Sequence, residues 1–337
     1  MTSPGWPSDR EGSVGLARAG RPEPGLRNRL ASNEFAVTAE VGPPRGADPG
    51  AVARKLEPLR GWVDAVNLTD NQAAHVRMAS WASSLLALAA GVEPVMQVTC
   101  RDRNRIALQS DLLSAGAMGI PNVLLMTGDH PRVGDHPDAK PVFDLDSMRL
   151  LRAARAMRDE GQLMSGRKLD PPPRWFIGAV EDPFTPQGRP SATRLGTKVD
   201  AGAEFVQTQF VFDTAAFARW MAEVTDLGLV QRCAILAGVG PIRSLRALDH
   251  MRSNVPGLHI PGEIERRLRA AGEAHMAQEG VAMCAEIIQE VRQIPGVRGV
   301  HVMAPGFEGG IPEILRQSGL GRLTLAEPGG SGTGRAH

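Results

Sequence analysis

The sequence predicts a closed (β/α)8 TIM barrel, and three observations carry that expectation. Strand-type apolar runs alternate with helix-period segments eight times along about 290 residues, the count and size of such a barrel. The strand runs are apolar throughout instead of alternating, as in a parallel sheet covered on both faces. No GxGxxG loop follows the first strand, which counts against the competing open, doubly wound sheet. The glycines at Gly238–Gly240 form too short a stretch for one and lie on the seventh strand.

The elements follow in order. FAVTAEV (Phe35 to Val41) reads as the first strand and PGAVARKLEPL as its helix. VDAVNL (Val63 to Leu68) is the second strand, with a helix from about Ala73 to Ala89. PVMQVTC (Pro94 to Cys100) precedes the helix NRIALQSDLLSAGAMG, and NVLLM (Asn122 to Met126) is a fully apolar strand. After a polar loop, Leu150, Ala154 and Met157 mark a helix by their i, i+4, i+7 spacing. RWFIGAV (Arg174 to Val180) is the fifth strand, with a helix over Ser191 to Ala201. FVQTQF and TAAFARWMAEVTDLG make the sixth pair, and RCAILAGV and SLRALDHMRS the seventh. Pro261 to Arg292 carries one short and one long helix. GVHVMA (Gly299 to Ala304) is the eighth strand, and GIPEILRQSG closes the barrel.

Composition is that of an ordinary soluble globular chain, with 42% apolar and 22% charged residues. A formal net charge of +1 gives no bulk attraction to nucleic acid or to an anionic membrane. Tyr is absent and Phe and Trp are few, which removes the stacking platforms that single-stranded nucleic acid uses. No run approaches the roughly 18 apolar residues of a membrane span. Cys100, Cys233 and Cys284 lie far apart without metal-type spacing, as expected of buried thiols in a reducing compartment. Residues 1–33, rich in Pro, Gly, Arg and Ser, read as a disordered extension with no secretory signal. Residues 34–322 read as the catalytic barrel and 323–337 as a flexible tail, and the expected location is the cytoplasm.

In a barrel of this kind, chemistry sits at the C-terminal ends of the strands. The first three ends carry Glu40, then Thr69, Asp70 and Asn71, then Gln97 and Thr99. The next three carry Thr127, Gly128 and Asp129, then Glu181, then Gln207 and Gln209. No His stands at a strand end, and no metal-ligand cluster is visible. Glu40 and Asp129, from different strands, would converge. Desolvation disfavours the charged form of a carboxyl, so Glu40 on an apolar floor could keep a proton near neutral pH and act as a general acid. A structural Glu bonded to a barrel arginine is the alternative. Asp129, in TGDHP, could simply close a turn. Gln207 and Gln209 flank Thr208, so both should face the interior, where a polar heterocycle or core partners would satisfy them. Lys198 could reach the mouth and hold a phosphate, or be a surface lysine. His75, on a helix, and His130, in a loop, read as solvated.

Taken together, AEVGPPRG, VNLTDN, VTCRDRN, NVLLMTGDHP, TKVDAGAEFVQTQF and ILAGVGPIRS occur in the order and at the strand ends of a known family. In these motifs the chain resembles the methylenetetrahydrofolate reductases, from about Phe35 to Leu320. The resemblance implies a flavin, FAD, in the barrel mouth, reduced by NAD(P)H. It implies hydride transfer to 5,10-methylenetetrahydrofolate, giving 5-methyltetrahydrofolate. Glu40 would be the general acid, donating to N10 as the five-membered ring opens. Asp129 would contact both pterin and flavin, and Gln209 the pterin. Thr69, Asn71, Thr127, Gly128, Phe143 and Lys198 would hold the flavin. Gln97 stands where the enterobacterial branch has a flavin-contacting His. Thr127 and Thr197 replace arginines of that branch, Val180 a tyrosine, and Leu245 a substrate-stacking aromatic. FMN, or no tightly bound flavin, therefore stays open. So do oxidation of 5-methyltetrahydrofolate and a non-catalytic folate-binding subunit. The resemblance also implies a homo-oligomer, associated in some members with other one-carbon enzymes.

Overall fold

The structure is a computed structural model that describes residues 25–184, 191–255 and 257–321. Residues 1–24 of the expected extension and the whole of the expected tail lie outside the described residues. Eight parallel strands close on themselves in chain order. They are β1 (Ala36–Val41), β2 (Ala65–Leu68), β3 (Pro94–Thr99), β4 (Asn122–Met126), β5 (Phe176–Glu181), β6 (Phe205–Phe210), β7 (Ala234–Val239) and β8 (Val297–Val302). β8 pairs with β1, with Thr38 opposite His301, so the open sheet is excluded. The helices are α1 (Gly25–Ala31), α2 (Pro49–Leu56), α3 (Ser80–Ala89), α4 (Arg105–Ala117), α5 (Ser147–Arg155), α6 (Ser191–Ala201), α7 (Thr214–Asp226), α8 (Leu245–Asn254), α9 (Gly262–Val291) and α10 (Ile311–Gln317).

Short polar residues set the helix starts. Asp48, Asn104, Asp146, Asp213 and Ser244 occupy the N-cap positions of α2, α4, α5, α7 and α8. Each accepts from a backbone N–H of the first turn, which would otherwise lack a partner. Gly272, at φ +70°, divides α9 into the short and long segments that the sequence suggested.

Two elements differ from the expectation. α3 begins at Ser80, not near Ala73, because Asn71, Ala73 and Ala74 all hold positive φ and cannot continue a right-handed turn. The loop after β4 presses on this segment: a Cβ at Gly134 would lie 1.9 Å from the Ala74 carbonyl oxygen. His75 is therefore in a loop and not on a helix. The second difference is α1, which lies inside the stretch read as a disordered extension. Leu26 and Leu30, at i and i+4, are buried against Ala36, Ala65, Val95, Leu124, Phe176, Phe205 and Leu236. This short amphipathic helix plugs the N-terminal end of the barrel. Seven residues surrounded by polar sequence gave too weak a period to show it.

The apolar core thus has three regions: one inside the strands with α1, a larger one between strands and outer helices, and a small one where α8 and α9 pack with Phe212 and Ile242. The interior is tightly filled. A Cβ at Gly178 of β5 would sit 2.2 Å from the Phe205 ring, so only glycine fits beside that phenylalanine. The three cysteines are free and buried, and burial pushes the Cys100 and Cys284 thiols up to about 12. Among the described residues no helix is long and apolar enough to cross a membrane.

Glu93 anchors the plug. Its carboxylate accepts from the backbone N–H groups of Gly25 and Leu26 and, at 2.7 Å, from Asn122 Nδ2. Glu93→Ala should destabilise the fold by about 1–3 kcal/mol, because the N–H groups of Gly25 and Leu26 lose their acceptor and Asn122 loses one of its two. Burial pushes the pKa of Glu93 above the ordinary carboxylate range, and that of Asp64 is raised for the same reason. Both groups bind a proton more tightly folded than unfolded. The stability they contribute is complete below the ordinary carboxylate range and is lost as pH rises through their raised folded values. Urea unfolding of Glu93→Gln across that window should show a shallower decline than the parent. An identical decline would remove Glu93 as the cause.

Candidate functional site

Alternation along each strand decides which strand-end residues enter the barrel. Ala36 belongs to the interior cluster and Thr38 bonds across the interior, so Glu40 also points inward from β1. The same period brings Phe205, Gln207 and Gln209 inward on β6, as expected. On β5, Phe176 and Val180 face the interior cluster, so the neighbouring Glu181 turns outward beneath α6. There its carboxylate meets Arg194 Nη2 at 2.5 Å and Lys198 Nζ at 2.8 Å, with the Glu181 side chain 1% exposed. Glu181 is thereby a buried ion-pair partner and not part of the polar ring.

Below the mouth lies a buried polar layer drawn from four strands. Asn67 Nδ2 donates to Gln207 Oε1 at 2.6 Å, and Gln207 Nε2 donates to Asn67 Oδ1 at 3.0 Å. Gln207 Nε2 also donates to Thr38 Oγ1 at 3.1 Å. Thr38 Oγ1 is 3.0 Å from His301 Nδ1. All four residues are buried, and their polar atoms answer one another as buried groups must.

Glu40 stands on this layer. Gln72 Nε2 donates to its Oε1 at 2.8 Å and Gln97 Nε2 to its Oε2 at 3.2 Å. His301 Nε2 is 3.8 Å from Oε2, and the Glu40 side chain is 11% exposed. The floor beneath Glu40 is therefore polar, not apolar as the sequence suggested, and N–H donors face both carboxyl oxygens. Above it opens a cleft of about 340 Å³, within the range of small-ligand sites. Glu40, Arg45, Lys55, Gln72, Arg77 and Glu308 line it, together with prolines and glycines of the loops after β1 and β8. Lys55 pairs with Glu308 at 3.4 Å and donates to the Gly42 carbonyl at 2.8 Å.

The other ring residues are placed as follows. Thr69 is 1% exposed and its hydroxyl has no partner. Asp70 is committed elsewhere: it accepts from Thr99 N at 2.8 Å and Thr99 Oγ1 at 3.0 Å and pairs with Arg103. Asn71 is left-handed at φ +47° and accepts from Arg77 N at 2.9 Å. Thr127 is exposed, and its Oγ1 accepts from Ser147 N at 3.2 Å at the start of α5. Gly128 is at φ +86°, where a Cβ would lie 2.9 Å from Thr99 Cβ. Asp129 is exposed and does not line the cleft over Glu40, so the two carboxylates do not meet there. Phe143, also at positive φ, has its ring 6.3 Å from that of His130. Gln209 Oε1 accepts from Phe210 N at 3.0 Å.

Sequence reasoning missed Gln72 and three members of the layer, Thr38, Asn67 and His301. The signal was present. Thr38, Asn67, Gln207 and His301 are polar residues two positions below Glu40, Thr69, Gln209 and Met303 on otherwise apolar strands.

Eight parallel strands closed in chain order, with a cleft and a fixed carboxyl at the mouth, define a (β/α)8-barrel protein whose site is built on strand ends and their loops. The chain belongs to the methylenetetrahydrofolate reductase family, whose model matches residues 25–319 and so includes the α1 plug. It is 26% identical over 239 residues to a probable methylenetetrahydrofolate reductase (NADPH) of Caenorhabditis elegans, covering 69% of this chain and 33% of that protein. A probable methylenetetrahydrofolate reductase (NADH) of Oryza sativa is 25% identical over 240 residues, 68% of this chain and 38% of that protein. The chain thus spans about a third of the length of these curated relatives. Among solved structures, a Clostridium thermocellum protein described as binding two copies of 5-methyl-5,6,7,8-tetrahydrofolic acid aligns with TM-score 0.62 and 13% identity. That alignment covers 87% of this chain and 97% of that one, a likeness of fold.

The flavin that the family implies can be tested against these residues. The buried, partnerless hydroxyl of Thr69 fits a polar ring edge. Lys198 fits a phosphate less well, since its ammonium already donates to Glu181 and to the Val180 carbonyl.

Proposed function

We propose that the chain reduces 5,10-methylenetetrahydrofolate to 5-methyltetrahydrofolate with NAD(P)H as donor. The observation that carries this reading is the Glu40 carboxyl, held by two glutamine amides at the foot of a cleft, in a chain of the reductase family. Glu40 is the general acid. Its proton goes to N10 of the folate as the carbon–nitrogen bond breaks, which leaves the carbon as an iminium ready for hydride. Gln72 and Gln97 fix the carboxyl so that its acidic oxygen meets that nitrogen without reorganisation. Gln209 and Asp129 would contact the pterin, Asp129 from outside the cleft over Glu40. Hydride relay between the nicotinamide and the folate carbon is the chemistry that a flavin, FAD or FMN, would supply when bound. Thr69, Asn71, Gln97, Thr127, Gly128 and Phe143 would hold its ring, and Lys198 would reach a phosphate only by leaving Glu181. The reading extends to a homo-oligomer in the cytoplasm.

The direct test is donor oxidation by the purified chain with and without the folate. NAD(P)H consumption that depends on 5,10-methylenetetrahydrofolate, with 5-methyltetrahydrofolate as product, is the expected result. A chain that binds the folate but transfers no hydride, with or without added FAD or FMN, would instead be a folate-binding subunit.

A further inference from the structure

We propose that His301 is a positioning residue that shares one proton with Glu40 and keeps it inside the barrel until the substrate takes it. This rests on the reading of Glu40 as the acid. Burial on a dry floor would have explained how Glu40 keeps a proton, but the floor is a polar layer. Gln72, Gln97 and His301 all present nitrogen to the carboxyl oxygens. Gln72 and Gln97 turn their amide N–H groups, and not their oxygens, to the carboxyl, so lone pairs on both oxygens are occupied and a second seat for the proton close by becomes valuable. His301 is the one basic side chain within 4.0 Å of that carboxyl among the described residues. Imidazole is also the side chain that changes charge near neutral pH.

The layer beneath serves either charge state of the ring. When the ring is neutral, the Thr38 hydroxyl accepts from Gln207 at 3.1 Å and gives its hydrogen to His301 Nδ1 at 3.0 Å. The ring hydrogen then sits on Nε2 and faces Glu40. When the ring is protonated, Nδ1–H donates to Thr38 Oγ1, and the hydroxyl turns its hydrogen to the Val300 carbonyl at 3.4 Å. One hydroxyl rotation makes the exchange. His301 is 3% exposed, so its proton leaves by way of Glu40 and the cleft. Thr38, Asn67 and Gln207, which complete the layer, are neutral. The remaining charged groups lie at the cleft wall: Arg45, Arg77 and the Lys55–Glu308 pair.

The step balances. The Nε2 proton of the imidazolium crosses to Glu40 Oε2 once a small side-chain shift closes the 3.8 Å gap, as sites without substrate commonly require. Glu40 passes the proton to the leaving nitrogen. The ring ends neutral, Glu40 ends as carboxylate, the product carries the proton, and water entering the emptied cleft returns one.

The test compares the full-length parent, His301→Gln and Thr38→Val across pH. Glutamine keeps an N–H donor toward Glu40 but cannot take up the proton. His301→Gln should hold KM for the folate within about twofold and lower kcat at neutral pH by about tenfold or more. Its kcat should start to fall at a lower pH than in the parent. Thr38→Val should change the profile in the same direction by less. A kcat equal to the parent at every pH would overturn the proposal, and so would an equal loss at all pH with an unchanged profile. A second readout needs no turnover. The 15N signals of the His301 ring, recorded at one near-neutral pH, should move toward the neutral-ring pattern in Glu40→Gln. Unchanged ring signals would refute proton sharing whatever the chain reduces, whereas a parent inactive on the folate would refute the proposed reaction alone.

Discussion

Glu40→Gln is expected to reduce folate turnover by about 10²–10⁴-fold, the usual contribution of a positioned acid. Glutamine has the same length and can still accept from Gln72 or Gln97, so the cleft should keep its shape and its ligand. The loss should therefore appear in kcat, with folate affinity by fluorescence titration little changed. Any flavin that copurifies should be retained in the amount found in the parent, because the substitution removes only a proton. Turnover near the parent rate would show that the proton comes from another group and would end the role given to Glu40.

Glu181→Ala is expected to destabilise the fold by about 3–5 kcal/mol, the range for breaking a buried ion pair from one side. Glu181 is almost fully enclosed, and the Arg194 and Lys198 head groups against it are themselves mostly covered. Removing the carboxylate leaves the Lys198 ammonium with the Val180 carbonyl at 2.5 Å and no counter-charge beside it. Glu181→Gln should cost less, since an amide oxygen still accepts. Urea denaturation gives both values. A loss under about 1 kcal/mol in Glu181→Ala would mean that water already screens these cations and that the pair is not structural.

The contrast between Glu40 and Glu181 shows where sequence reading succeeds and where it stops. Both are acids near the end of an apolar strand, and the sequence placed both in one polar ring. Their roles part on parity: Glu40 is an even step from Ala36 and enters the barrel, whereas Glu181 is an odd step from Phe176 and leaves it. A strand boundary uncertain by one residue is enough to exchange the two faces. Gln207 and Gln209 were legible because their shared face needs no boundary, only alternation. Glu40 and Asp129 read as converging, but Asp129 does not line the cleft over Glu40, because relative position at the mouth depends on loop paths that no local pattern encodes.

By itself, the sequence determined the closed barrel, the order of its elements and the strand-end motifs that mark the family. Those properties follow from local periodicity and from short-range chemistry, which the chain carries wherever it folds. Only the tertiary structure decided that α1 fills the barrel floor, that Asp70 and Glu181 are tied to arginines, and that Glu40 stands on amides and a histidine. Such contacts join distant parts of the chain, as the 263 positions between Thr38 and His301 beneath Glu40 show, and only barrel closure brings such pairs together.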